Sequence, residues 1–399
     1  MTEPFTEPEL MLKRSEAHPF KQLPELVRLR EERPLARMIY PDGHEGWLAT
    51  GHEEARAVLG HPRFSNRYEL QHPPFPSFGE VMPPAPVGDF LGIDAPEHTR
   101  FRKLLAGKFT VRRMRLLTER VEEFTTECLD AMEGQGPSVD LMRAYAQPVP
   151  ALVICELLGV PSGERERFHQ LVNGMLLREG VTPETMAVNW SELQEYIDRL
   201  VVDKRANPTD DVLSELTTSD LTHEELVGVG TFLLGAGLHT TATSIGMNVF
   251  ALLLHPEQLA ALRDDPGLTD GAVEELLRYT GLGPATLRAA VEDVEIGGEL
   301  IKAGECVTIS IDNVNRDPRK FVDPDKLDLR RDATGHLTFV HGIHQCLGQH
   351  LARIELRTTL PALLTRFPTL RLAIPAEDVQ LRTDANMYEM VELPVSWDA

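Results

Sequence analysis

Between Leu226 and Leu254 the chain runs for 29 residues without an Asp, Glu, Lys or Arg. Thr222-His223-Glu224-Glu225 ahead of this run has the form of a capping box, and His255-Pro256 behind it supplies a stop. The pattern predicts one helix of about thirty residues, roughly 50 Å long. A membrane span would satisfy the same length. Against that reading, Gly228, Gly230, Gly235, Gly237 and Gly246, with Thr240, Thr241, Thr243, Ser244 and Asn248, dilute the hydrophobicity, and no basic flank follows. The helix is therefore expected to run through the middle of a large soluble core.

The remaining periodicity is mostly helical. Helices are expected over 115–134, 150–159, 163–180 and 184–206, separated by short Pro, Gly or polar breaks. Strand-like pieces lie at 35–40 and 47–50, flanking the turn Pro41 to Gly46, and at 287–290, 294–296, 300–301 and 307–311. Six prolines between residues 71 and 90 rule out a regular helix there and leave a semi-rigid loop carrying Phe78, Val81, Met82, Val87 and Phe90. No linker, repeat or low-complexity tract divides the 399 residues, so one unit with room for a buried cofactor is expected over 1–399.

Three short stretches carry chemistry. Phe339-Val340-His341-Gly342-Ile343-His344-Gln345-Cys346-Leu347-Gly348 sets one cysteine after a glycine-punctuated loop and before an amphipathic helix, in which Leu347, Leu351, Ile354 and Leu360 recur at roughly helical spacing. A helix N-terminus stabilises a thiolate, and Gly342 and Gly348 admit unusual backbone conformations or a flat partner. Taken alone, Cys346 reads better as a buried cysteine at a helix start. In Ala236-Gly237-Leu238-His239-Thr240-Thr241, glycine costs the helix roughly 1 kcal/mol, which calls for a reason such as close approach of a planar ligand. His98 and Arg102 are four apart on a helix and can grip one anion, and Glu275 and Arg278, three apart, can pair on one face.

The spacing of Phe339, Gly342, His344, Cys346 and Gly348 resembles the haem-ligand loop of the cytochrome P450 family. The resemblance implies a mainly α fold with small peripheral β-sheets and a haem iron held by Cys346. Phe339 would shield the sulfur, while His98, Arg102, Arg288 and His344 would bind propionates. The Ala236-Gly237 pair would lie against the haem and Thr240 would support oxygen activation. His239 stands where the family has Asp or Glu, which makes it the candidate proton relay. Glu275, Arg278 and Arg331 would form the family's structural ion cluster. Substrate contacts are expected, by location, from Val87, Phe90, Leu176, Leu233, Ala236, Leu287 and Met387.

The implied reaction inserts one atom of O2 into a bulky, largely apolar substrate such as a macrolide, terpenoid or steroid. Electrons would come from NAD(P)H through a ferredoxin reductase and a ferredoxin, because the chain has neither a flavin domain nor a cysteine pattern for an iron–sulfur cluster. Seven Lys or Arg and no acid lie between His98 and Thr118, and the group around Arg112, Arg113 and Arg115 is expected to help dock that ferredoxin. The net charge of −22 argues against nucleic-acid or anionic-membrane binding, and the first twenty residues lack a signal or anchor run. Four scattered cysteines fit a reducing compartment, so a cytoplasmic monomer is expected. Two rivals remain: a peroxide-using, coupling or isomerising haem-thiolate enzyme, which His239 makes credible, and a non-catalytic haem sensor, against which Thr240 and the basic island weigh.

Overall fold

The computed structural model describes residues 3–13, 20–75, 82–165, 167–168, 171, 183–283, 285–382 and 388–398. The long uncharged run is one helix, His223–Leu254. Both arms of its capping box form: Glu225 N donates to Thr222 Oγ1 at 3.1 Å, and Thr222 N donates to Glu225 Oε2 at 2.8 Å. Four helices surround it, Pro148–Leu158, Pro183–Ala206, Thr269–Thr280 and Gln349–Arg366. Among the described residues it is the one helix long and apolar enough to cross a membrane, but most of its turns are covered by protein.

Its glycines are explained by these neighbours. A Cβ on Gly230 would lie 2.8 Å from Ile197, one on Gly237 3.2 Å from Ile154, and one on Gly246 2.4 Å from the Met142 sulfur. Gly237, expected to make room for a flat ligand, also makes room for the helix beside it and is half-buried. The opening is one residue earlier: Gly235 and Ala236 are exposed in the middle of an otherwise buried helix, and nothing lies within 4 Å of a Cβ on Gly235.

Sheets sit at the periphery. Strands β1 (Leu35–Ile39), β2 (Glu45–Ala49), β3 (Phe64–Ser65), β5 (Thr286–Ala290) and β8 (Cys306–Ile309) form a five-stranded sheet in the order β1-β2-β8-β5-β3. Strand β2 runs parallel to β8, with Trp47 opposite Val307, and β5 runs antiparallel to β8, with Arg288 opposite the same Val307. Two hairpins, β6 (Val294–Ile296) with β7 (Glu299–Ile301) and β10 (Leu381–Arg382) with β11 (Glu389–Met390), and a three-stranded sheet of β4 (Ser138–Asp140), β12 (Pro394–Ser396) and β9 (Arg371–Leu372) complete the strands described. One apolar core runs from Phe20 to Trp397, with two smaller ones under the five-stranded sheet.

The loop that leads to Cys346 is held from below by a buried ion cluster. Arg278 donates from Nε and Nη2 to both oxygens of Glu275, at 2.7 and 2.9 Å, and from Nη1 to the carbonyls of Asn315 and Pro324. Arg331 Nε reaches Glu275 Oε1 at 3.1 Å, and the Asp328 amide donates to the same oxygen. Glu275 and Arg278 have no exposed side-chain surface. Removing Arg278 leaves buried Glu275 with only Arg331 as counter-ion, and breaking a buried pair typically costs about 3–5 kcal/mol. Arg278→Met is therefore expected to lower unfolding stability by roughly that amount in urea melts, with the haem-binding loop losing order first in hydrogen exchange.

Candidate active site

Cys346 lies between the short 3-10 turn Gly342–His344 and the helix Gln349–Arg366. Its amide donates to the Phe339 carbonyl at 3.0 Å, closing the loop on itself. Val340 and Gly342 both take positive φ, +51° and +82°, and a Cβ on Gly342 would lie 2.4 Å from the Leu59 carbonyl oxygen. Only glycine fits there. Phe339 is buried with the Arg353 guanidinium 4.5 Å over its ring. Beside Cys346, Gly348 has nothing within 4 Å of a Cβ position, so that side of the loop is open.

Burial raises the Cys346 thiol above its ordinary pKa, against the amides of Gly348 and Gln349 and the charges of Arg102 and Arg353, which all pull it down. The helix start thus acts in the expected direction, but desolvation outweighs it in the bare chain. A coordinated cation would reverse that balance.

Around the same opening gathers positive charge without an internal counter-ion. Arg288 is buried, hydrogen-bonds only to neutral groups including Asn66 Oδ1 at 2.6 Å, and is pushed down to about 10 by desolvation. Arg102 is lowered by burial too, and among the described residues neither arginine makes an ion pair. His98 and His344 are buried with ring centroids 4.2 Å apart, and the Nδ1 atom of each lacks a hydrogen-bond partner. Burial, then the charges of Arg288, His98 and Arg102, hold His344 down at about 3. Buried polar atoms and cations are normally satisfied. This set calls for a dianionic partner that is not protein.

The central helix carries the remaining expected site residues. Thr240 Oγ1 donates to the Ala236 carbonyl at 2.7 Å, leaving the oxygen free to accept a proton donor from the opening. His239 is half-buried one residue earlier. Above, the roof is pinned to the helix by backbone: Gly88 takes φ +88°, and a Cβ on Gly228 would lie 1.9 Å from the Val87 carbonyl oxygen. Val87 is half exposed. Phe90 is buried against Phe232 and Phe101, at 4.8 and 6.4 Å between centroids, so it braces the roof. Leu233 is buried, Leu287 half-buried and Ala236 exposed, while Leu176 and Met387 lie outside the described residues.

Two features were not legible in the sequence. The basic island is largely neutralised within the chain: Arg100 pairs with Asp220 and Glu225, Lys108 and Arg113 with Glu215, and Arg112 and Arg113 with Asp210. These acids come a hundred residues later. Second, Glu355 is buried without an ion pair and raised to about 8 by desolvation alone. Its position four residues after Leu351, on the apolar stripe of its helix, was the available signal.

Comparison with known proteins agrees with this geometry. The cytochrome P450 family signature matches residues 184–392. The chain is 47% identical to cytochrome P450 105C1 of a Streptomyces species over 379 residues, 94% of each chain. The chain belongs to the cytochrome P450 family. It is also 42% identical to the pentalenic acid synthase of Streptomyces avermitilis, over 92% of each chain. The crystal structure of CYP105P1 in complex with filipin I superposes with a TM-score of 0.90 at 38% identity, covering 99% of both chains. The mainly α P450 fold, haem as cofactor and monooxygenase chemistry follow from this membership. The solitary cations and partnerless imidazoles fit haem, whose two carboxylates supply the missing charge.

An opposite response of stability and cofactor retention is expected at Arg288. Arg288→Met removes a buried charge without an ion-pair partner, so the haem-free chain should melt higher. Haem should dissociate at least about tenfold faster, since one charge-assisted hydrogen bond is worth roughly 1.5–3 kcal/mol. Thermal melts of the apoprotein and transfer of haem to an acceptor protein measure the two effects.

Proposed function

We propose that Cys346 ligates the haem iron and that the holoenzyme oxygenates a bulky, largely apolar natural product, with electrons from NAD(P)H through a ferredoxin reductase and a ferredoxin. The observation that carries this reading is the gathering of Arg102, Arg288, His98 and His344 around one another and of Arg102 near Cys346, with neither arginine in an ion pair among the described residues. Cys306, the other cysteine with potential metal ligands nearby, is fully buried on the sheet, raised to about 12 by desolvation, and has neither a helix start nor a nearby arginine to favour its thiolate. Cys128 and Cys155 are buried and raised to about 12 in the same way.

When bound, haem supplies the reductive splitting of O2. The chain supplies position and protons. Arg102, Arg288, His98 and His344 would hold the haem carboxylates, and Gly235 and Ala236, exposed on the central helix, would leave room for a flat ligand or substrate. His239 passes protons towards Thr240, because a neutral imidazole accepts at one nitrogen and donates from the other. The Thr240 hydroxyl hydrogen is engaged by the Ala236 carbonyl, so its oxygen receives the proton donor. A large substrate suits the proline-rich roof, and the pentalenic acid and filipin named for two relatives are natural products.

The electron donor is assigned to the depression beneath Cys346. About 390 Å³ in volume, it is lined by Arg56, His341 and Gln345 and by Arg353 and Arg357, which pair with the lining acids Glu274 and Asp270, so that Arg56 is its arginine without an ion pair among the described residues, with Ile343 exposed in the same loop. Because Asp210, Glu215, Asp220 and Glu225 cover much of the basic island, Arg56 and Ile343 should matter more to docking than Arg112 and Arg113.

The test is NADH-driven turnover with a ferredoxin and its reductase, using compounds first screened by the haem spin-state shift. A product one oxygen atom heavier, formed only with both proteins present, supports the reading, and binding without turnover contradicts it. His239 also favours a second reading, in which peroxide replaces the electron chain, and faster turnover with peroxide than with NADH would select it. Under the main reading, His239→Ala lowers product per NADH and releases peroxide, while His239→Asp retains coupling and neither variant changes substrate affinity much. Arg56→Glu should slow ferredoxin-driven reduction, more so at low salt because the Debye length is about 8 Å at physiological ionic strength.

A further inference from the structure

Three separate segments bring metal-ligating atoms together away from the cysteine loop. His44 lies in the turn between β1 and β2, His72 at the start of the proline-rich roof, and Cys306 at the head of β8, and their ligand atoms lie within 4.8 Å of one another. We propose that this cluster binds a zinc-class cation and thereby fastens the start of the roof to the five-stranded sheet.

The donor set is chemically selective. Two imidazoles and a thiolate suit zinc and other borderline or soft cations, and not magnesium or calcium. The second observation is the carboxylate behind them. Asp42 Oδ2 lies 2.5 Å from His72 Nδ1, and Asp42 Oδ1 accepts the His44 amide at 2.9 Å. A ligating histidine commonly turns its other ring N–H to such a carboxylate, and here that leaves His72 Nε2 as the donor.

The charge balance favours a cation too. Asp42, Glu45 and Glu305 all lie close enough to His44 to favour positive charge there. The Cys306 thiol contacts the Leu70 carbonyl at 3.4 Å, and the His72 backbone hydrogen-bonds to the sulfur and favours the thiolate. A metal compensates a buried thiolate that burial otherwise disfavours.

In a tetrahedral site with Zn–N near 2.0–2.1 Å and Zn–S near 2.3 Å, donors lie roughly 3.3–3.7 Å apart. The cluster must therefore contract by about 1 Å. The His44 and His72 rings now stack at 3.6 Å, 4° from parallel, so they must splay for both lone pairs to converge. The His72 side chain is 34% exposed and has space to turn. Water completes the fourth position.

The experiment titrates haem-loaded protein with zinc against a chromogenic chelator and reads the bound metal by X-ray absorption. One zinc per chain is expected, with a dissociation constant near or below about 1 µM, one sulfur and two nitrogen neighbours, and a zinc-dependent rise in melting temperature. His72→Ala, His44→Gln and Cys306→Ser should each weaken binding by about tenfold or more, whereas His61→Ala should not. His72→Ala changes a partly exposed side chain and keeps the test valid if Cys306→Ser misfolds. No binding tighter than about 1 mM, binding that survives all three substitutions, or a shell of nitrogen and oxygen alone would overturn the proposal.

Discussion

Buried positive charge without an internal counter-ion organises this enzyme's centre. Arg288 sits inside the five-stranded sheet, Arg102 on the helix Glu97–Ala106 and His344 in the cysteine loop, three elements far apart in sequence. Each would be costly to bury alone, and together they would repel. A dianionic cofactor would complete the set, and its binding would then be coupled to the closing of sheet, helix and loop. The Glu275–Arg278–Arg331 cluster works differently, since its charges are paired within the protein and hold the chain between Asn315 and Arg331 whether or not haem is bound.

The composition of the central helix follows from what packs on each turn. Small residues admit the Pro183–Ala206 helix at Gly230, the Pro148–Leu158 helix at Gly237, the roof at Gly228 and Met142 at Gly246. At Gly235 and Ala236 the neighbours stop. A helix that is nearly uniformly apolar therefore has one functional gap, defined by the absence of packing and not by a special side chain.

This distinction explains what could be read from residue order. The helix ends were legible because Thr222, Glu225 and Pro256 act within a few residues, and the hairpin of β1 and β2 because its turn is local. The cysteine loop was legible because Gly342 answers to a positive φ and a close carbonyl, a local demand on one position. The packing of Gly237 could not be read because its neighbour, Ile154, is distant in the chain. Likewise the charge of the basic island could not be judged without Asp210, Glu215, Asp220 and Glu225, and the cluster of His44, His72 and Cys306 exists only once β8 pairs with β2. Local constraints survive in sequence, whereas long-range neutralisation and packing do not.

The account turns on which atom completes the iron's coordination beneath the haem. Desolvation keeps the Cys346 thiol protonated in the bare chain, so its role as thiolate depends on the metal it meets. The direct measurement is the absorption spectrum of the dithionite-reduced protein under carbon monoxide, recorded for the intact chain and for Cys346→Ser. The account predicts the strongly red-shifted Soret band of a thiolate-ligated haem in the intact chain and its loss in Cys346→Ser, with Cys306→Ser unchanged. A histidine-like, unshifted band in intact protein, or a red-shifted band that disappears with Cys306 and not with Cys346, would contradict it.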